Sequence, residues 1–92
     1  MFNFSIEETL QRKIKKLKKK DRILVQNFKK KFQEVINNDR KSIHRYKNLR
    51  SPMHEYKRIH LTDNYILLFK VDIDRNHIVF MDILHWDIAY KK

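Results

Sequence analysis

Three residue types are absent or nearly absent from the 92-residue sequence, which has no cysteine, no glycine and one proline. Without cysteine the chain cannot form disulfide bonds or bind a metal through thiolates. Without glycine it cannot build Walker or Rossmann loops, which hold phosphates against backbone that carries no side chain. Kinases and dehydrogenases of those classes are therefore excluded, and we expect no cofactor.

Long apolar runs are also missing. No run approaches the roughly 18 residues that a membrane span needs. The first ten residues, MFNFSIEETL, lack the basic start and apolar stretch of a secretory signal. The hydrophobic fraction of 41% is nevertheless sufficient for a folded core. We therefore expect a cytoplasmic protein with no membrane partner, folded as a single domain over residues 1–92.

Positive charge is what the sequence has in excess. Residues 1–50 hold 16 basic and 5 acidic side chains, whereas residues 51–92 hold 6 of each. The net charge of +11 therefore belongs to the first half of the chain. This asymmetry indicates a polyanionic partner, with nucleic acid favoured over an acidic membrane surface. The alternative interpretation is a solvated, lysine-rich helix surface without a partner.

Two amphipathic helices are predicted after a short first strand at Phe2 and Phe4. Ser5 and Glu8 have the spacing of a capping box, so a helix is expected to begin there. Asp21 is the expected N-cap of the second helix. The apolar stripes are Leu10, Ile14 and Leu17 in the first helix, and Leu24, Phe28, Phe32, Val35 and Ile36 in the second. With a tight connection between them, these helices form an antiparallel hairpin.

Three strand-like runs follow at Tyr56–Leu61, Tyr65–Ile73 and His77–His85. Asp63-Asn64 and the run 74–76 separate them at hairpin distances. The predicted fold is therefore α+β: an N-terminal strand, then an antiparallel helix hairpin packed on one face of a C-terminal antiparallel β-meander.

Side-chain alternation assigns the two faces of the predicted meander. The core face is predicted to hold Leu67, Phe69, Val71, Ile73, Val79, Met81 and Ile83. The opposite face is predicted to present cationic, imidazole and aromatic groups from the first run, among them Arg58 and His60. Alternation assigns His85 to the core face. However, His85 lies at the end of its strand, so its side chain can extend beyond the sheet. Trp86 is predicted to be a core residue.

Four segments carry a resemblance to a known family: YKNL at 46–49, YKRIHL at 56–61, YILLFK at 65–70 and LHWDIAY at 84–90. In this order they resemble the RelE/ParE toxin superfamily, and most closely the branch of the messenger-RNA endonucleases RelE and YafQ. The resemblance covers essentially the whole chain. It implies a RelE-like fold and the toxin of a type II toxin–antitoxin system, partnered by an acidic antitoxin. It also implies ribosome-dependent, metal-independent cleavage of messenger RNA by attack of a ribose 2′-hydroxyl.

The resemblance also implies which residues perform the reaction. His60 and His85 match the two histidine positions of the branch, and imidazole suits proton transfer because its pKa of about 6.5 lies near working pH. Arg58 falls in the basic strand, where a guanidinium stabilises the charge that develops on the phosphate. Tyr90 matches the late aromatic residue that stacks on a base. The His-Pro pair that often precedes Leu49 in the family is absent, and His54 is the candidate replacement.

RNA contacts are expected from basic side chains outside this group. They are Lys15, Lys16, Lys19 and Lys20 on the first helix, and Lys47, Arg50 and Lys57 farther along the chain. Two other functions remain open: a ParE-like toxin that inhibits DNA gyrase without cleaving RNA, and a non-catalytic basic module that binds RNA or a membrane surface. Neither alternative accounts for the pair His60 and His85. No metal is expected, because zinc usually needs three or four protein ligands.

Overall fold

The computed structural model describes residues 1–49 and 54–87 of the chain. Its elements are β1 (Asn3–Ile6), α1 (Glu8–Lys20), α2 (Arg22–Ile36), a short 3₁₀ helix (Ser42–Arg45), β2 (Lys57–His60), β3 (Tyr65–Asp72) and β4 (His77–His85). The four strands form one sheet in the order β1-β4-β3-β2. β2, β3 and β4 are the antiparallel meander, and β1 pairs with β4 in parallel. The predicted α+β fold is confirmed.

The helix hairpin begins differently from the prediction. Asp21 is the N-cap of α2 as expected, since its carboxylate accepts a hydrogen bond from the Leu24 N–H at 3.0 Å. The predicted capping box of α1 is wrong, because its N-cap is Glu7 and no side chain caps it. Ser5 instead lies in β1, where its Oγ contacts His77 Nε2 at 3.0 Å. Glu8 in the first turn of α1 and three lysines in the last turn both complement the helix dipole.

The main core lies between the hairpin and one face of the sheet. Its fully buried members include Leu10, Leu24, Ile43, Leu67, Phe69, Ile78 and Phe80. Phe28 is buried there, and Phe32 packs partly against the same cluster. Phe32 lies 4.8 Å from Phe80 between ring centroids, so aromatic contacts join α2 to β4. The helix stripes predicted from the sequence therefore face the sheet.

A β-bulge in β4 overturns part of the predicted face assignment. Leu68 pairs with Asp82, but the next residue, Phe69, pairs with Phe80, so Met81 is an extra residue in its strand. Ile78 and Phe80 therefore face the helices, whereas Val79 and Met81 were predicted to do so. Ile83 is in the core as predicted, because the bulge restores the parity assigned to it.

The opposite face of the sheet, here called the outer face, is more apolar than predicted. Ile66 and Leu68 are buried there with Leu49, and Tyr56, Met81 and Leu84 pack against them. This second cluster covers the middle of the outer face. The polar side chains of this face therefore lie toward the ends of the strands.

Tyr46 fixes the segment that follows α2. Its hydroxyl donates to Glu34 Oε2 at 2.6 Å and accepts from Asn38 Nδ2 at 3.1 Å and Arg45 Nη2 at 3.0 Å. Its ring contacts Phe69 edge-on, with 5.6 Å between centroids. Asn38 is buried and also donates to the carbonyl of Val35. These bonds hold the chain against the end of α2 before it enters the sheet.

We expect Tyr46→Phe to lower the free energy of unfolding by about 1–3 kcal/mol at pH 7, because a buried hydrogen-bond network loses its shared hydroxyl. Burial and the bond to Glu34 raise the pKa of Tyr46, so the folded state resists ionisation. The difference from the parent protein should therefore persist below about pH 10 and shrink as the pH rises further. Urea unfolding at several pH values measures it.

Tyr56→Phe is the matched control, since the Tyr56 hydroxyl makes no hydrogen bond within the described part of the chain. Equal stability losses for Tyr46→Phe and Tyr56→Phe at pH 7 would contradict a special role for the Tyr46 network.

Candidate active site

The two predicted catalytic histidines lie at the same end of the sheet. His60 is the last residue of β2 and pairs with Ile66 of β3, whereas His85 is the last residue of β4 and pairs with Tyr65. One strand separates them, so their Cα atoms are about 10 Å apart at ordinary strand spacing. Alternation directs His60 to the outer face and His85 to the helix side. The two imidazoles therefore flank one strand end from opposite sides.

His85 is held by its immediate neighbours. Its Nδ1 accepts a hydrogen bond from the Asp87 backbone N–H at 3.2 Å, and Asp87 Oδ2 lies 3.7 Å from the same nitrogen. The Tyr65 ring meets the imidazole edge-on, with 5.3 Å between centroids. If the His85 ring is neutral and accepts at Nδ1, its proton is on Nε2. If the ring is protonated, the Asp87 carboxylate lies beside its positive charge. His85 is thus arranged to present an Nε2–H donor.

His60 is exposed and lies beside Trp86. The two ring centroids are 5.9 Å apart, with 32° between the ring planes. His60 also lines an open cavity of about 450 Å³, together with Leu61, Thr62 and Asp63. An exposed imidazole next to an open cavity is accessible to a substrate hydroxyl.

The prediction that Trp86 is a core residue is wrong. Trp86 is 41% exposed, because β4 ends at His85 and the Trp86 N–H donates to the Asn64 carbonyl at 2.7 Å. The alternation of side chains contained the missing signal: a residue directly after His85 returns to the outer face, where His60 lies.

The two basic residues of β2 lie in different settings. Arg58 is half-buried and pairs with Leu68 on the outer face. The Lys57 Nζ donates to the Tyr46 carbonyl and to Asn48 Oδ1, both at 2.9 Å, and burial lowers the pKa of Lys57. The Lys57 ammonium thus joins β2 to the segment that precedes it. Its RNA contact stays a prediction.

The other predicted site residues are exposed or lie outside the described residues. His54 is exposed, and its carbonyl accepts a hydrogen bond from Asn48 Nδ2 at 2.7 Å. Lys47 is exposed next to this turn. Tyr90 and Arg50 fall outside residues 1–49 and 54–87. The four helix lysines, Lys15, Lys16, Lys19 and Lys20, are all exposed on α1.

A partly buried ion pair fixes the lysine-bearing helix to the sheet. Lys13 Nζ lies 2.7 Å from Asp82 Oδ1 and also donates to the Ile83 carbonyl at 2.8 Å. Lys18, Arg22 and Lys29 line a groove of about 180 Å³ where α1 and α2 meet. The hairpin therefore presents its positive charge on a surface that is anchored to the site-bearing strand β4.

Neither a metal-binding cluster nor a membrane-spanning helix is found within residues 1–49 and 54–87. Within these ranges no three histidine, aspartate or glutamate side chains come together as metal ligands. No helix there is long and apolar enough to cross a bilayer.

Comparison with known proteins gives the family. No family model matches the chain. Over its whole length the chain is 35% identical to a protein of Methanocaldococcus jannaschii that bears the name "Putative toxin RelE4", and it covers 94% of that protein. The chain belongs to the RelE family of toxins.

Solved structures of RelE-family toxins have the same fold. YafQ from E. coli superimposes with a TM-score of 0.73 at 17% identity, covering 98% of this chain and 99% of YafQ. The isolated E. coli RelE toxin gives a TM-score of 0.70 at 19% identity, covering 92% and 84%. The YoeB–YefM complex from Staphylococcus aureus also gives 0.70, at 17% identity over 90% and 94%. The resemblance drawn from the sequence is therefore confirmed.

Proposed function

We propose that this RelE-family protein is the toxin of a type II toxin–antitoxin pair and acts as a ribosome-dependent, metal-independent endoribonuclease on messenger RNA. The observation that carries the proposal is the placement of His60 and His85 at one end of the RelE-like sheet. A net charge of +11 supports an RNA substrate. The expected site of action is the cytoplasm.

The reaction that suits this site is an internal transesterification. The ribose 2′-oxygen attacks the adjacent phosphorus, the bond from phosphorus to the 5′-oxygen breaks, and a 2′,3′-cyclic phosphate and a 5′-hydroxyl result. His60, exposed beside the open cavity, takes the proton from the 2′-hydroxyl. His85, in its protonated form with the Asp87 carboxylate beside Nδ1, gives the proton on Nε2 to the 5′-oxygen. No water or metal ion is consumed in this step.

The remaining predicted residues have supporting roles in the proposal. Arg58 stabilises the negative charge that grows on the pentacoordinate phosphorus. Tyr90 stacks on a base, and His54 supplies the proton-transfer group that the shortened loop otherwise lacks. Lys47, Arg50 and Lys57 contact RNA phosphates. The lysines of α1 bind ribosomal RNA, while the end of the sheet that carries His60 and His85 binds the messenger.

The proposed partner is a flexible acidic antitoxin. A structural neighbour of this chain, YoeB, is found in complex with YefM. For the present protein, excess positive charge favours an acidic segment that folds over the helix hairpin or over the outer face.

Cleavage of a translated messenger tests the proposal. We expect purified toxin to cut a defined messenger during in vitro translation, with breaks mapped by primer extension. The downstream fragments should carry 5′-hydroxyl ends, which require phosphorylation before they can be ligated. The cognate antitoxin should suppress cutting, and the same messenger without ribosomes should stay whole.

An intact messenger in the translation reaction, combined with growth arrest in cells, would refute the nuclease. It would favour a toxin that acts on another target, such as DNA gyrase. Cutting of naked messenger at the same sites would refute ribosome dependence alone.

A further inference from the structure

Trp86 is the sole tryptophan of the chain and is exposed, which is unusual for a side chain of this size. Among the aromatic side chains that the structure describes, one other, Phe4, is exposed. Phe4 has a packing role, because its ring meets Phe32 edge-on with 4.7 Å between centroids. Trp86 lies instead beside a candidate catalytic histidine. Its exposed apolar surface therefore requires a different explanation.

The position of Trp86 is fixed by its surroundings. Its backbone N–H is bound to the Asn64 carbonyl at 2.7 Å, which ties the end of β4 to the turn between β2 and β3. Its ring faces His60 at 5.9 Å between centroids and 32° between planes. The indole thus has a defined orientation next to the imidazole. A preorganised aromatic surface loses little freedom when it binds a planar ligand.

A cavity large enough for a nucleobase lies next to His60, the ring partner of Trp86. The open cavity at His60, about 450 Å³, lies within the range of about 300–1,000 Å³ typical of small-molecule sites. Proteins that bind single-stranded RNA stack unpaired bases on aromatic side chains, and every base offers a π-face. The net charge of +11, which residues 1–50 carry, attracts an RNA strand to the protein as a whole.

We propose that Trp86, together with His60, forms a stacking site for one unpaired nucleobase of the messenger. The inference deepens the proposed function and rests on it, because the stacked base holds the neighbouring phosphate between His60 and His85. Trp86 is then a substrate-binding residue in addition to Tyr90. Because stacking tolerates any base, this site positions the messenger without selecting its sequence.

The sole tryptophan provides a direct measurement. The probe is a short single-stranded oligoribonucleotide whose riboses carry 2′-O-methyl groups, so that no 2′-hydroxyl is present to attack. Its control is a chain of the same length and charge without bases. We expect the first probe to quench the indole emission of the parent protein to saturation. The abasic probe should bind, as measured by the anisotropy of an end label, and leave the emission unchanged.

Substitutions provide the second measurement. Trp86→Leu should weaken binding of the base-bearing probe roughly 5- to 150-fold and leave binding of the abasic probe unaltered. Trp86→Phe should restore most of the loss, because it keeps an aromatic face. Phe4→Leu is the matched control, since it removes a comparably exposed aromatic ring on β1, and it should bind both probes as the parent does.

The outcomes separate this inference from the proposed function. Equal quenching by both probes, no quenching by the base-bearing probe, or equal affinity in Trp86→Leu would overturn the stacking site. Base-dependent quenching without messenger cleavage would uphold the stacking site and refute the nuclease. Messenger cleavage without quenching would uphold the nuclease and refute the stacking site.

Discussion

Replacing His60 or His85 with alanine should reduce messenger cleavage about 10²- to 10⁴-fold and abolish growth arrest. This is the loss expected when one proton-transfer group is removed from a reaction that uses two. Neither change should unfold the protein, because His60 is exposed and His85 is only half-buried at a strand end. The measurement is the rate of primer-extension product formation on a translated messenger, with toxin in excess over ribosomes.

His44→Ala is the matched control for both substitutions. His44 is exposed on the 3₁₀ helix and has no place in the proposed reaction. It should cleave at the parent rate, and all three variants should retain antitoxin binding and the circular dichroism spectrum of the parent. If the His60 and His85 variants cleave like His44→Ala, the family assignment stands but the choice of catalytic residues is wrong.

The order of elements could be predicted because each depends on local patterns. The apolar stripe from Leu24 to Ile36 repeats at helical spacing, and Asp21 has the side chain that an N-cap requires. Both features act within a few residues, and both are found as expected. By contrast, Ser5 has the same capping chemistry, but the pairing of β1 with β4 takes it into the sheet. A long-range contact overrides the local signal there.

The face assignment of β4 failed for a different reason. Side chains of a strand point alternately to the two faces of the sheet, and one added residue exchanges the faces for the rest of the strand. Met81 is that residue, and nothing in its side chain distinguishes it from the apolar neighbours Val79 and Ile83. The bulge is defined only by how Phe69 and Phe80 meet across the sheet. The residue pattern within β4 contains no information about how β3 pairs with it.

The residues of the candidate site come from the resemblance, and only part of their arrangement could be predicted from the sequence. His60 and His85 were identified by resemblance, and the structure places both at the same end of the sheet, on β2 and β4. The contact of Lys57 with the Tyr46 carbonyl depends on a chain segment that returns to β2 from elsewhere. The same is true of Trp86, whose backbone is bound to a turn 22 residues earlier, at Asn64. Sequence spacing does not reveal such encounters.

Replacing Lys15, Lys16, Lys19 and Lys20 together with glutamine should reduce ribosome affinity by up to about 10³-fold at 0.1 M salt. Each lysine–phosphate contact releases counterions, so it contributes roughly 0.7 to 0.9 to the slope of log affinity against log salt concentration. Four lost contacts lower that slope by about 3. All four side chains are exposed on α1, so the fold should not change. The affinity is measured at several potassium concentrations and constant magnesium.

The matched control removes the same charge elsewhere. Arg40, Lys41, Lys70 and Arg75 are exposed and lie outside the proposed RNA contacts, and their replacement by glutamine also lowers the net charge by four. This variant should keep most of the parent's salt slope, because counterion release requires contact, whereas long-range attraction is screened beyond about 10 Å at 0.1 M salt. If both variants lose slope equally, net charge alone attracts the toxin to the ribosome. If neither does, the lysines of α1 are a solvated surface, and the contact with the ribosome must be made by the sheet.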